Sequence, residues 1–306
     1  MNTTPSVTVV IATRGRPELL RSAVRAALAQ DYAGDVEVVV VFDQVEIDTL
    51  EDVAVPPQRR ALRTIANARV PGLAGGRNTG IESSQADLVA FCDDDDEWLV
   101  EKLRRQVELW AQQPEAVLVS TGIRIVTEGD EHVRLPPAST VFADLLESRI
   151  TELHPSTFLL RRADLLGDIG LVDEQLPASY GEDYDLLLRA ARTGTVIAVT
   201  EPLVIIRWNR VTFFSDRWQG IADGLSYILA KYPEFATTDI GSARREGQIA
   251  FAHAALGDRP AARDWARRTL RHNRKQLRGW AALAIAARLV PASFLVAAVN
   301  RRGRGL

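Results

Sequence analysis

The stretch VAFCDDDDEW, residues 89–98, sets four consecutive aspartates, Asp93 to Asp96, directly after an apolar run of strand length. Like charges this close repel one another, so the run calls for a positive partner. Side chains alternate along an extended chain, which puts Asp93 and Asp95 on one face and Asp94 and Asp96 on the other. The C-terminal end of a strand is where open α/β sheets bind ligands. A hard divalent cation such as Mg²⁺ or Mn²⁺ takes oxygen ligands and also binds phosphate, so one reading is a metal carrying a phosphorylated ligand. The other is that the aspartates favour the N-terminus of a helix starting near Trp98. Four of them exceed what a cap requires.

A second acidic constellation follows in YGEDYDLLLRAARTG, with Glu182, Asp183 and Asp185 ahead of an apolar face of Leu186, Leu187 and Ala190. One of these carboxylates is a candidate general base for an attacking hydroxyl, and Gly181 would let the loop approach a substrate closely. Here too, acidic residues in the first turn of a helix are the alternative.

Both acidic groups need a frame. SVTVVIAT (6–13) and VEVVVVF (36–42) are β-branched apolar runs typical of strands buried on both faces. Between them Pro17 suits a helix start, and Leu20, Val24, Ala27 and Leu28 recur at helical spacing. ADLVAFCD reads as another strand, EWLVEKLRRQVELWAQQ as a helix and AVLVSTGIRIV as a strand. Further on come STFLLRR, the helical EDYDLLLRAART and the strand-like GTVIAVTEPLVIIRW. The class is α/β: a Rossmann-like, mostly parallel sheet flanked by helices.

Strand signals stop after about residue 215, and GQIAFAHAALGDRPAARDWARRTLRHN reads as two short amphipathic helices around Gly257-Asp258. The expected division is therefore a catalytic domain over 1–215 and a C-terminal α-helical region over 216–306. Charge divides likewise. Residues 241–306 hold 14 Lys/Arg and 3 Asp/Glu, a balance of +11, whereas the rest balances to −14. The stretch 279–299 approaches bilayer-spanning length, but Arg288, Pro291 and its alanine-rich composition argue against a span. A packed appendage or an interfacial helix pair held by basic flanks is expected instead.

Composition narrows the chemistry. The chain has 306 residues, 46% of them apolar and 25% charged, which suits a folded globular protein. Its single cysteine, Cys92, excludes an internal disulfide framework and cysteine-based zinc sites. The N-terminus lacks the pattern of a secretory signal, so a cytoplasmic protein is expected, peripheral at the inner face of a membrane if the basic helices reach one.

Three segments in order resemble family 2 glycosyltransferases, inverting enzymes of the GT-A fold. They are SVTVVIATRGRPELLRSAVRAALAQDY, GLAGGRNTGIESSQADLVAFCDDDDEW and LLRRADLLGDIGLVDEQLPASYGEDYDLLLRAARTG, and the resemblance covers about residues 6–210. It implies that Thr13 and Arg14 lie against a donor nucleotide and that Asp43 contacts its base or ribose. It implies further that Arg77 faces the nucleotide, with Asn78 organising the turn. Asp93 and Asp95 would be the metal-binding DXD pair, Asp95 the preferred direct ligand, with Asp94 near the ribose. Asp183 would be the catalytic base, with Glu182 the alternative. Ala12 and Gly15 depart from the family's usual proline and asparagine. No histidine follows the Glu-Asp motif until His253; His154, which precedes it, is read as a packed residue or as part of an acceptor site.

The implied reaction moves a sugar from a nucleotide-diphosphate donor, a UDP-sugar by preference, to an acceptor hydroxyl with Mg²⁺ or Mn²⁺. The acceptor is a glycan, a lipid-linked saccharide or a small molecule. Trp208 and Asn209 would line the acceptor or close over the donor, or else Trp208 is core at a domain edge. The rivals are a non-catalytic sugar-nucleotide-binding scaffold of the same fold and a nucleotidyltransferase. For the latter TRGRPE is a poor phosphate loop. No nucleic acid is expected, because the basic segment lacks aromatic interleaving around its arginines. The C-terminal helices are also a candidate homodimer surface.

Overall fold

The computed structural model describes residues 4–127, 129–207 and 218–300, the side chains of 297–300 excepted. Trp208 and Asn209 lie outside the described residues. Two compact units emerge, and the expected division at 215/216 falls within the undescribed 208–217. The first unit takes the chain to Phe142, then Ile150–Glu174, then Glu182 onward through the last strand. The second takes Ala143–Arg149, Gln175–Gly181 and the described residues from Trp218.

In the first unit the strands are β1 (Val7–Thr13), β2 (Val36–Phe42), β3 (Arg60–Ala66), β4 (Leu88–Phe91), β5 (Asp96–Trp98), β6 (Leu118–Thr127), β7 (Asp130–Arg134), β8 (Ser139–Thr140), β9 (Leu159–Arg161) and β10 (Val196–Arg207). Helices α1 (Pro17–Leu28), α2 (Leu73–Ser83), α3 (Lys102–Gln112), α5 (Arg162–Leu166) and α6 (Glu182–Thr193) flank them, while α4 (Phe142–Glu147) begins at the unit's edge. One sheet runs in the order β3-β2-β1-β4-β9-β6-β10-β5.

The run β3-β2-β1-β4 is parallel throughout, and its inner strands β2, β1 and β4 are the mostly apolar ones. Beyond it the sheet is mixed. The short β9 enters antiparallel between β4 and β6. β3 carries no apolar run, since its residues are half-exposed, and it escapes a reading based on buried strands. Trp98 does not open a helix: Asp96–Trp98 pairs antiparallel with β10, and α3 starts at Lys102. The aspartates therefore do not cap it.

The core lies on one side of β1 and β2, where Val9, Ile11, Val38 and Val40 meet Leu20, Val24 and Leu28 of α1. On the opposite side α2 packs against β1 at close range. A Cβ at Gly80 would stand 2.3 Å from a Val10 methyl, so only glycine lets the helix lie that low. This close seating carries Arg77 and Asn78 into the interior, at 3% and 1% exposure.

The second unit is helical: α7 (Trp218–Lys231), α8 (Asp239–Leu256), α9 (Arg259–His272), α10 (Leu277–Ala286) and α11 (Ala292–Asn300). The expected hairpin around Gly257-Asp258 is α8 and α9. Gly257 takes the left-handed cap of α8 at φ 81°, and the Asp258 carboxylate accepts the Ala261 N–H at the start of α9. Ala250, Ala254, Ala262, Ala266, Ala282 and Ala286 form the seam among α8, α9 and α10. Residues 279–299 are split between α10 and α11, and no helix among the described residues is long and apolar enough to cross a membrane.

Candidate active site

β4 ends at Phe91, and the chain then turns through Asp94 and Asp95 before β5, with the Asp96 N–H donating to the Asp93 carbonyl at 3.2 Å. Because this is a turn and not extended chain, the alternation expected of the aspartates does not hold. Asp94 and Asp95 share one partner, and Asp93 and Asp96 lie together with His154. Alternation therefore gives no reason to pair Asp93 with Asp95, although the Asp93 charge still acts on Asp95.

Asp94 accepts the Thr13 hydroxyl at 2.7 Å and an Arg16 N–H at 3.1 Å, and the same Arg16 nitrogen donates to Asp95 at 2.5 Å. Thr13 ends β1, and Arg16 stands just ahead of Pro17, which opens α1. The sequence signal for Arg16 was thus the TRGRP segment itself, but nothing in it shows which carboxylates the guanidinium would reach.

Asp96 is buried and accepts the Ser156 hydroxyl at 2.5 Å, while the Ser156 oxygen accepts the Asp93 N–H at 2.9 Å. His154 begins the short 3₁₀ turn Pro155–Thr157, and its Nδ1 lies 3.5 Å from Asp96 Oδ2. Asp93, Asp96 and His154 offer ligand atoms that all lie within 4.8 Å of one another. Two carboxylates and an imidazole suit a divalent first-row or alkaline-earth ion, the imidazole favouring manganese over magnesium. Ser156 had no sequence signal beyond its place in HPST.

Arg77 links the two acidic motifs. One guanidinium nitrogen donates to Glu182 Oε1 at 2.6 Å and the other to Asp93 Oδ1 at 2.7 Å. Glu182 and Asp183 open α6 and are buried, as is Asp185, which is bonded to Arg189 one turn on. Asn78 holds the neighbouring loop: its amide donates to the Val172 carbonyl and to Glu174, and its oxygen accepts the Val172 N–H. Asp43 ends β2 and accepts from Asn67, from the Gly72 N–H and from Gln44. Arg14 lies close enough for its charge to act on Asp43.

A family model described as Glycosyl transferase family 2 matches residues 8–167. The chain belongs to that family. A relative, the amylovoran biosynthesis glycosyltransferase AmsB of Erwinia amylovora, is 24% identical over 251 residues, covering 77% of this chain and 80% of its own. Among solved structures, S. aureus TarS 1–349 in complex with UDP-GlcNAc superposes with a TM-score of 0.60 at 15% identity, over 98% of this chain and 92% of that one. The mannosyltransferase PcManGT from Pyrobaculum calidifontis, in complex with GDP-Man and Mn²⁺, gives 0.55 at 21% identity, over 94% and 87%. The fold is GT-A, and this family 2 member is a glycosyltransferase.

Its electrostatics follow from burial of like charges. Burial pushes the Asp94 and Asp95 carboxyls above their ordinary range, with Thr13 and Arg16 opposing it at Asp94 and Asp93 adding to it at Asp95. Asp96 is pushed well up by burial and then by Asp93. Glu182 is pushed up to about 7 by burial against the pull of Arg77. Asp43 goes the other way: burial raises it, but the hydrogen bonds from Asn67, Gly72 and Gln44 outweigh that. Behind the site, Lys102 is fully buried over the Trp98 ring, donates to Gln106 and is pushed down to about 7 by desolvation.

Proposed function

We propose that the protein transfers a sugar from a nucleotide-diphosphate donor, a UDP-sugar by preference, to an acceptor hydroxyl with inversion at the anomeric carbon. The carrying observation is the buried Arg77 guanidinium bonded at once to Asp93 of the aspartate turn and to Glu182 beside Asp183. It brings the donor-side and acceptor-side carboxylates within the span of one side chain. In this reading Thr13, Arg14, Asp43 and Asp94 hold the nucleoside end of the donor. Arg77 orients both acidic motifs, and residues 1–215 carry the chemistry while 216–306 do not.

Asp183 is the base. It is the second carboxylate of the Glu-Asp pair at the start of α6, and Glu182, bonded to Arg77, is the alternative. As that proton moves to Asp183, the acceptor oxygen bonds to the anomeric carbon. The bond from that carbon to the diphosphate oxygen breaks on the opposite face, and its electron pair leaves with the nucleotide. Asp93, Asp96 and His154 are the set that would hold Mg²⁺ or Mn²⁺, with Asp95 joining or replacing them once Arg16 releases it. A cation bound there supplies Lewis-acid neutralisation of the departing diphosphate. The acceptor in this reading is a glycan, a lipid-linked saccharide or a small molecule.

Calorimetric titration of UDP, GDP and dTDP, with Mn²⁺ and with EDTA, tests this on the wild type and on Asp93→Asn. Metal-dependent binding of one nucleotide, lost in the variant, is expected. Folded protein that binds none of them overturns the reading and favours the scaffold.

A further inference from the structure

The C-terminal end of the helical unit carries apolar surface that its own packing does not use. Leu277 is 77% exposed and Trp280, one turn later on α10, is 54% exposed. Leu289, in the turn after α10, is 77% exposed and Phe294, early in α11, 58%. Trp280 is not a loose side chain: its indole N–H donates to the Arg274 carbonyl at 2.9 Å, which fixes the ring while leaving it half in solvent. Four large apolar residues exposed within 18 positions are more than scattered surface hydrophobes require.

The charge around them has a single sign. Residues 265–306 contain ten Lys/Arg and no Asp or Glu. Arg271, Arg274 and Lys275, just ahead of Leu277, and Arg288, just ahead of Leu289, are exposed. Arg288 holds the left-handed position that ends α10, at φ 62°, where glycine is the favoured residue. The chain thus places a cation at a cap where an uncharged glycine would be less strained.

We propose that this face of α10, the following turn and the start of α11 docks on an anionic lipid surface, the aromatic and aliphatic side chains entering the headgroup boundary and the cations meeting lipid phosphates. Basic residues beside exposed Trp, Phe and Leu on short helices are the composition of an interfacial segment. A second copy of the chain fits less well. A twofold contact sets a patch against itself, so these cations would oppose one another. A nucleic acid would use the cations but leave Leu277, Leu289 and Phe294 without a partner. The proposal concerns the second unit alone and does not depend on the identity of the sugar.

The test is flotation of the full chain with vesicles of phosphatidylcholine, alone or with about 30% phosphatidylglycerol, in about 0.1 M salt. Binding to the anionic vesicles only is expected. Leu277→Ser with Trp280→Ser, and separately Arg274→Glu with Lys275→Glu, should each weaken it by about tenfold or more. Leu166→Ser, an exposed leucine in the first unit, is the control and should leave binding unchanged. All these side chains are exposed, so circular dichroism should show intact folding. Equal binding to both vesicle types, or binding that survives both double variants, overturns the proposal. So does lipid-free self-association abolished by Leu277→Ser with Trp280→Ser, which assigns the face to a second copy. Salt-sensitive binding of a nucleic acid that outcompetes the vesicles overturns it as well.

Discussion

Arg77→Met is the perturbation that reports most directly on the coupling of the two acidic motifs. The guanidinium is fully buried and bonded to Asp93 and Glu182 at 2.7 and 2.6 Å. Removing one partner of such a buried pair leaves uncompensated charge, which costs about 3–5 kcal/mol. The cost must depend on pH. Glu182 has its folded value raised from 4.5 to about 7, so the folded state binds more protons than the unfolded one between those limits. Wild-type stability therefore falls as pH rises across that window, by about 3 kcal/mol at about 1.4 kcal/mol per pH unit. Without Arg77 the carboxyl titrates higher still, and stability continues to fall above pH 7.

The variant's deficit should accordingly reach about 3–5 kcal/mol near pH 8.5 and shrink toward pH 6, where Glu182 is protonated in both proteins. Urea unfolding followed by tryptophan fluorescence at the two pH values measures it. Arg77→Met with Glu182→Gln should recover part of the loss at pH 8.5, because the Glu182 charge is gone while Asp93 stays without the guanidinium. A deficit below about 1 kcal/mol at pH 8.5, or one identical at both pH values, would refute the coupling and with it the observation on which the proposed function rests.

Other expectations follow from the same contacts. Asp183→Asn should lower kcat by about 10²-fold or more while leaving nucleotide affinity unchanged in calorimetry. His154→Gln and Asp93→Asn should weaken Mn²⁺ binding to the nucleotide-free protein about tenfold or more, read by electron paramagnetic resonance, and Asp95→Asn should do so less. An Asp95→Asn loss as large as that of Asp93→Asn would restore Asp95 to the ligand set. Lys102 has its folded value lowered from 10.5 to about 7, so the unfolded state binds more protons between those limits and stability rises with pH through that window. Lys102→Met should flatten that rise in a pH series of urea melts and stabilise the protein near pH 6 by about 2 kcal/mol. That figure allows for the Gln106 oxygen it leaves without a donor. Gly80→Ala should lower stability by about 1–3 kcal/mol in thermal unfolding, because its methyl meets Val10.

How much of this was legible in the sequence depends on whether the signal was local. β1 and β2 announce themselves because nearly every residue is β-branched and most are apolar, and α1 because Pro17 and the apolar spacing agree. β3 is silent, being half-exposed with arginine at two of seven positions. The three segments in order were enough for the family. The run of aspartates signalled a site, but its geometry was not legible: period-two alternation assumes extended chain, and a turn at Asp94-Asp95 regrouped the carboxylates. What regroups them is remote in sequence. Arg16 reaches Asp94 across 78 positions, Ser156 reaches Asp96 across 60, and Arg77 reaches Glu182 across 105. No window along the chain contains those pairs.

Those three contacts also explain how the acidic turn is tolerated within the fold. Asp93 and Glu182 share Arg77, Asp94 and Asp95 share Arg16, and Asp96 is held by a neutral hydroxyl. Two guanidiniums thus serve four carboxylates, and a serine serves a fifth whose protonation burial already favours. The arrangement folds, but it does so with negative charge in excess at the C-terminal end of a strand, where an open sheet presents its ligand crevice. The excess is what a cation and a diphosphate would meet together. A salt-bridge network evolved for stability alone would match charges one to one, because unpaired buried carboxylates are among the most destabilising groups a core can hold. Such an excess supports the proposed donor site over a set of helix caps.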